Sequence, residues 1–134
     1  MLRWAVERDA VTVLGNHDLY CLGVYAGAKR KSQDTLSELF EAPDLDVLMN
    51  WLRYSPLIHR LPGALLVHAG FHPQWSPKEA LGHAEEIEKR LRGPNWGHFV
   101  LRSLENQDPE KATQTALSCL TRIRMCTREG MPDY

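Results

Sequence analysis

A short β-branched run, Val11-Thr12-Val13-Leu14, stops at Gly15 and passes directly into Asn16, His17 and Asp18. Residues of this kind favour a buried strand, and the glycine lets the chain turn sharply out of it. A second apolar run, Leu66-Val67, ends in the same manner on His68, Ala69 and Gly70. In open α/β sheets ligands gather beyond the carboxyl ends of strands. The pattern therefore constrains the chain to a sheet that carries polar, ligand-capable residues at one edge.

The remaining elements follow from periodicity and punctuation. Residues 2 to 8 read as the end of a helix, and Leu19 to Ala26 as a deeply packed one, followed by the basic patch Lys29-Arg30-Lys31. Thr35 and Glu38 have the spacing of a capping box for a short helix through Glu41. A longer helix should start near Pro43 and Asp44, since Leu45, Leu48, Met49 and Leu52 share one face, and should end before Pro56. Leu57 to Leu61 and Ala64 to Val67 flank Pro62-Gly63, a pair suited to a type II turn, and predict a hairpin. Ser76, Pro77 and Glu79 announce a further helix with Ala80, Ala84, Ile87 and Leu91 inward, stopped by Gly93 and Pro94. Asp108 and Pro109 start a last one, with Leu117, Leu120 and Ile123 buried, ending before Gly130. The order predicts an α/β (α+β) piece with helices covering a sheet, in a single unit spanning 1–134.

Composition narrows the classes of function. A formal net charge of -1 argues against a bulk-charge nucleic-acid binder, and DNA is not an expected partner. The three cysteines, Cys21, Cys119 and Cys126, are odd in number and widely spaced, which suggests neither a disulfide framework nor a zinc knuckle. No segment has the apolar length of a membrane span. A soluble, cytoplasmic protein is expected.

An amide such as Asn16 can offer its carbonyl oxygen to a divalent cation without adding charge, and a neutral imidazole such as His68 ligates Mn, Fe or Zn. His17 could protonate a leaving oxygen or bond a phosphoryl group. Each has a bland counterpart: Gly-Asn-His-Asp is also turn composition, and His68 alone is more often a core histidine. Two ligands hold a metal weakly, and hydrolytic centres add carboxylates. His72 is close enough in sequence to His68 to line the same pocket, whereas His59, His83 and His98 read as surface or core residues.

Val13-Leu-Gly-Asn-His-Asp-Leu19, Leu66-Val-His-Ala-Gly70, Pro73-Gln-Trp75 and Thr121-Arg-Ile-Arg-Met-Cys126, in this order, resemble the symmetrical diadenosine tetraphosphatases of the calcineurin-like metallophosphoesterases. Glu41-Ala-Pro-Asp-Leu-Asp46 and Trp51-Leu-Arg53 resemble the intervening segment, so the likeness covers nearly the whole chain. Protein serine/threonine phosphatases share the Gly-Asn-His core but usually carry Glu where Asp18 stands.

The resemblance implies that Asn16 and His68 bind one metal ion and that His17 assists catalysis. Asp18 is grouped with His17 as a candidate catalytic residue, although support of the turn is its first expected task. Arg122 and Arg124 are candidate substrate contacts, since guanidinium suits phosphate; two apart on a helix, they do not share a face. The implied reaction is hydrolysis of diadenosine tetraphosphate to two ADP on two divalent ions, Mn or Co. Capped RNA ends are a further possible substrate.

The family's opening Gly-Asp-x-His-Gly and Gly-Asp-x-x-x-Arg-Gly motifs do not occur here, and its closing Gly-His motif is expected beyond Tyr134. The expectation is an internal fragment of a metallophosphoesterase sandwich that holds metal poorly, turns over little by itself and self-associates through uncovered edges. The alternatives are a protein-phosphatase-like enzyme and a non-catalytic remnant that serves as a binding module.

Overall fold

Ser76 accepts a hydrogen bond from the backbone N–H of Glu79 at 3.3 Å, and Glu79 Oε2 accepts from the Ser76 N–H at 2.8 Å, closing the expected capping box. From it runs α5 (Pro77–Arg92), the longest element of the protein, with Ala80, Ala84, Ile87 and Leu91 all buried and Gly93 at its end. The computed structural model describes residues 1–107 and 110–133. In these, α5 packs against α4 (Leu45–Tyr54), α6 (Trp96–Leu104) and α7 (Lys111–Arg122), while α2 (Asn16–Tyr25) lies on α4 and α6. The short helices α1 (Leu2–Glu7) and α3 (Ser37–Phe40) complete the helical part, with α1 resting on α4.

Two small antiparallel sheets accompany the helices. The expected hairpin forms from β1 (Ile58–Leu61) and β2 (Ala64–Val67), with Leu61 opposite Ala64, and Gly63 takes the positive φ of 74° that a type II turn needs there. A second pair, β3 (Met125–Cys126) and β4 (Pro132–Asp133), is an addition to the expected elements. The chain is thus mixed helix and strand.

The core forms between α2, α4, α5, α6, α7 and the start of the hairpin: Leu14, Leu22, Met49, Leu57, Ile87, Leu91 and Leu120 are each no more than 1% exposed. One charged group is built into its margin. Glu88 Oε1 accepts from the Leu57 N–H at 2.8 Å, and Oε2 accepts from Arg92 at 3.1 Å, so a carboxylate on α5 pins the entrance of β1. Burial pushes the Cys21 thiol up to about 11, which keeps it protonated and inert.

Several expectations need correction. Val11–Leu14 is not a strand: among the described residues its one backbone bond to another segment is Leu14 N–H to Pro56 O at 2.8 Å, and a ladder requires repeated pairing. The helix after it begins at Asn16 rather than Leu19, because the Asp18 carboxylate takes the Gly15 N–H at 2.8 Å and turns the Asn-His-Asp stretch into a first helical turn.

The Thr35–Glu38 box does not form; Asp34 Oδ1 accepts the Leu36 N–H at 3.1 Å instead, and α3 starts at Ser37. Helix α6 was not anticipated, although Trp96, Phe99, Val100 and Leu104 recur on one face. Asp108 and Pro109, the expected start of the last helix, lie outside the described residues. That helix ends at Arg122, and Ile123 is extended (φ -51°, ψ 135°) and only partly buried. Arg124 N–H then bonds Asp133 O at 3.2 Å, so pairing with β4 competes with a further helical turn.

Ile87 is 1% exposed at the centre of α5, so Ile87→Ala is expected to cost about 2–5 kcal/mol in urea unfolding. Val47→Ala, at a position 60% exposed, is expected to cost no more than about 0.5 kcal/mol. Equal losses at the two positions would contradict this core.

Candidate functional site

Leu14 is pinned to Pro56 just before β1, and β2 returns from the turn toward the same place. The Gly15 backbone and the His68 side chain meet there: a Cβ at Gly15 would stand 2.6 Å from both Cε1 and Nδ1 of the imidazole. Only glycine allows this approach. Its φ of -109° and ψ of 179° are open to any residue, so the requirement is for space and not for an unusual backbone. The C-terminal side is fixed by Ala69 N–H, which donates to Leu120 O at 3.0 Å on α7. Gly70 is similarly close to the Ile123 side chain, where a Cβ would come to 2.9 Å.

Asn16 and His17 follow Gly15 in the first turn of α2, Asn16 half-buried and His17 exposed. Both line a cleft of about 720 Å³ whose other walls include Tyr20, Lys29, Lys31 and Arg122. That volume lies in the ordinary range of ligand pockets. Lys29, Lys31 and Arg122 give the cleft three cations, and the carboxylate among its lining residues, Asp34, is already committed to Arg30.

Four expected residues thus fall around one region: Asn16, His17 and Arg122 on the cleft, and His68 against the glycine that precedes Asn16. The Asp18 carboxylate accepts the Gly15 N–H and caps α2. Arg124 does not reach the cleft. It lies beyond the end of α7, exposed, with its guanidinium donating to the carbonyls of Arg122 and Ile123 at 3.1 and 3.2 Å. His72 accepts the Gln74 N–H at 3.2 Å and sits 5.3 Å from the Trp75 ring, which in turn lies 4.5 Å from His83. These three form an aromatic cluster of their own. Lys29 and Lys31 were visible in the sequence as a basic patch, and nothing local revealed that they face Asn16 and His17.

For a metal, this chain offers one amide oxygen at Asn16 and one imidazole at His68. Among the described residues no group of three or more His, Cys, Asp or Glu side chains is placed to hold an ion. The donor set therefore fits one side of a cation and not a complete hydrolytic centre, which needs carboxylates as well. No helix among the described residues is long and apolar enough to cross a membrane.

No family model matches the chain. A Burkholderia pseudomallei protein is 42% identical over 140 aligned residues, covering 97% of this chain and 49% of that protein. A Burkholderia thailandensis protein is 44% identical over 135 residues, covering 93% of the chain and 48% of its own length. One from Methylobacillus flagellatus is 39% identical over 144 residues, covering 99% and 52%. All three are named symmetrical bis(5'-nucleosyl)-tetraphosphatase. The chain is a relative of these tetraphosphatases. It spans about half the length of the tetraphosphatases it matches.

Gly15→Ala is expected to push the His68 ring aside rather than unfold the chain, because His68 is exposed and can rotate. The measurements are the His68 ring resonances, which should shift, and thermal stability, which should fall by about 1 kcal/mol or less. Unmoved resonances would mean that ring and glycine are not in contact in solution.

Proposed function

We propose that this chain forms part of the catalytic centre of a metal-dependent hydrolase that cleaves dinucleoside tetraphosphates symmetrically, giving two ADP from diadenosine tetraphosphate. The observation that supports the reading is the close approach of the His68 ring, from a distant part of the sequence, to Gly15, the residue just before Asn16 and His17 at a cleft lined by Lys29, Lys31 and Arg122. The names of the relatives, at 39% to 44% identity, support a dinucleotide over a phosphoprotein substrate.

In this reading Asn16 and His68 are ligands to a shared divalent ion, with Mn or Co the expected metals of a two-ion site. The carboxylates that a complete centre needs are not among the donors gathered here. A divalent ion, when bound, draws charge from phosphoryl oxygens and lowers the pKa of bound water. The chain's own residues supply the rest. His17, exposed at the cleft, is placed to bond a phosphoryl oxygen or to give a proton to the departing ADP oxygen. Arg122 offers a guanidinium to the phosphate chain.

Asp18 acts by holding the turn, through its bond to the Gly15 N–H, rather than by touching substrate. The wider reading is a metallophosphoesterase sandwich in the cytoplasm, of which 1–134 is part of one domain. Capped RNA ends share the polyphosphate chemistry. Exposed Trp4, Val47 and Leu66 are apolar faces suited to self-association.

The test is a chimera in which this chain replaces the matching half of the Burkholderia thailandensis relative. It is expected to hydrolyse diadenosine tetraphosphate with manganese, and His17→Ala within it to lower kcat by about 10²–10⁴-fold. A chimera that folds and binds manganese yet leaves the dinucleotide intact, or a His17→Ala form as fast as its parent, would falsify this assignment.

A further inference from the structure

The basic run after α2 has no assigned task, and the structure treats its three members differently. Arg30 folds back onto Asp34, with Nε donating to Oδ2 at 3.1 Å, Nη2 donating to Oδ1, and a further bond to Ser37 Oγ at 3.1 Å. The same carboxylate accepts from the Tyr20 hydroxyl at 2.9 Å and from the Leu36 N–H at 3.1 Å. The Asp34 side chain is only 7% exposed. The Arg30 hydrogen bond, above all, holds its carboxyl well below the usual carboxylate range. Asp34 is thus the hub of the loop that links α2 to α3.

The lysines on either side of Arg30 are left free to act outward. Lys31 is fixed at its backbone, where its N–H donates to the Tyr20 hydroxyl at 2.7 Å, and its Nζ lies 5.2 Å over the Tyr20 ring. Among the described residues neither Lys29 nor Lys31 forms an ion pair with a carboxylate, although both are exposed. Both line the cleft that holds Asn16, His17 and Arg122. Two cations from a loop and a third from the end of α7, spread over about 720 Å³, suit an extended anion better than a single phosphate.

We propose that Lys29 and Lys31, held at the cleft by the Asp34 hub, bind the polyphosphate chain of the substrate together with Arg122. The proposal rests on the hydrolase reading for the identity of the substrate, but not for the presence of the anion site. Asp34 acts in it as a positioning residue. Removal of its charge gives opposite signs for the two ways it could matter. If only net charge counted, Asp34→Asn would free Arg30 and tighten anion binding; if Asp34 holds the loop, the same change weakens it.

Inorganic tripolyphosphate, without nucleoside or divalent metal, separates these possibilities by calorimetry on the chain. The Lys29→Gln/Lys31→Gln variant is expected to bind it roughly tenfold or more weakly than the unaltered chain, as two exposed charges allow. Lys78→Gln/Lys111→Gln, the same charge change at exposed positions outside the cleft, should bind nearly as the parent does. Asp34→Asn should also bind more weakly. Equal affinity in the two lysine pairs, or no binding by the unaltered chain, overturns the site, and tighter binding by Asp34→Asn overturns its positioning role. Tripolyphosphate bound at these lysines while the chimera fails to hydrolyse the dinucleotide would sink the hydrolase reading and leave the anion site standing.

Discussion

The Gly15 backbone and the His68 ring occupy space that no larger residue at position 15 could share. Everything distinctive about the site hangs on that approach. It brings the residue before Asn16 against an imidazole that follows β2, and it requires that the chain entering α2 and the chain leaving β2 converge. The bond from Leu14 N–H to Pro56 O and that from Ala69 N–H to Leu120 O hold the two arms in place. A glycine here is a steric requirement, and its extended backbone could otherwise accept any residue.

Two carboxylates organise the surroundings by the same device. Glu88, buried on α5, accepts the Leu57 N–H and an Arg92 bond, and fixes where the hairpin leaves the core. Asp34, its side chain as well shielded, collects Arg30, Tyr20 and the Leu36 N–H, and fixes the loop at the cleft. A charged acceptor that satisfies several donors at once orders the groups around it, since each donor left unmatched in a shielded place is costly. The Asp34 charge is absorbed in this way, and the cleft keeps the sign of Lys29, Lys31 and Arg122.

Features legible in the sequence were those whose physics is local. The Ser76–Glu79 box, the Pro62-Gly63 turn and the inward faces of α4 and α5 depend on residues a few positions apart, and they formed as read. The strand at Val11–Leu14 failed because a strand needs a neighbour, and β propensity cannot supply one. Thr35 and Glu38 had capping spacing, but Asp34 reached the free N–H first. Arg124 was placed on a helix that gave way to pairing with β4. Each miss is a contest between a local preference and a partner from elsewhere in the chain.

By itself, the sequence determined the likeness to the tetraphosphatases and the helices whose caps and faces are self-contained. Residue type and short spacing suffice for these, because capping, turn geometry and amphipathic burial act over one or two turns. Only the tertiary structure decided that His68 meets Gly15, that Arg122 and not Arg124 lines the cleft, and that Lys29 and Lys31 line it together with Asn16 and His17. Those are relations between segments far apart in the chain. They are settled by which faces the core buries and which backbone groups find partners, and no short window of sequence contains both sides of such a contact.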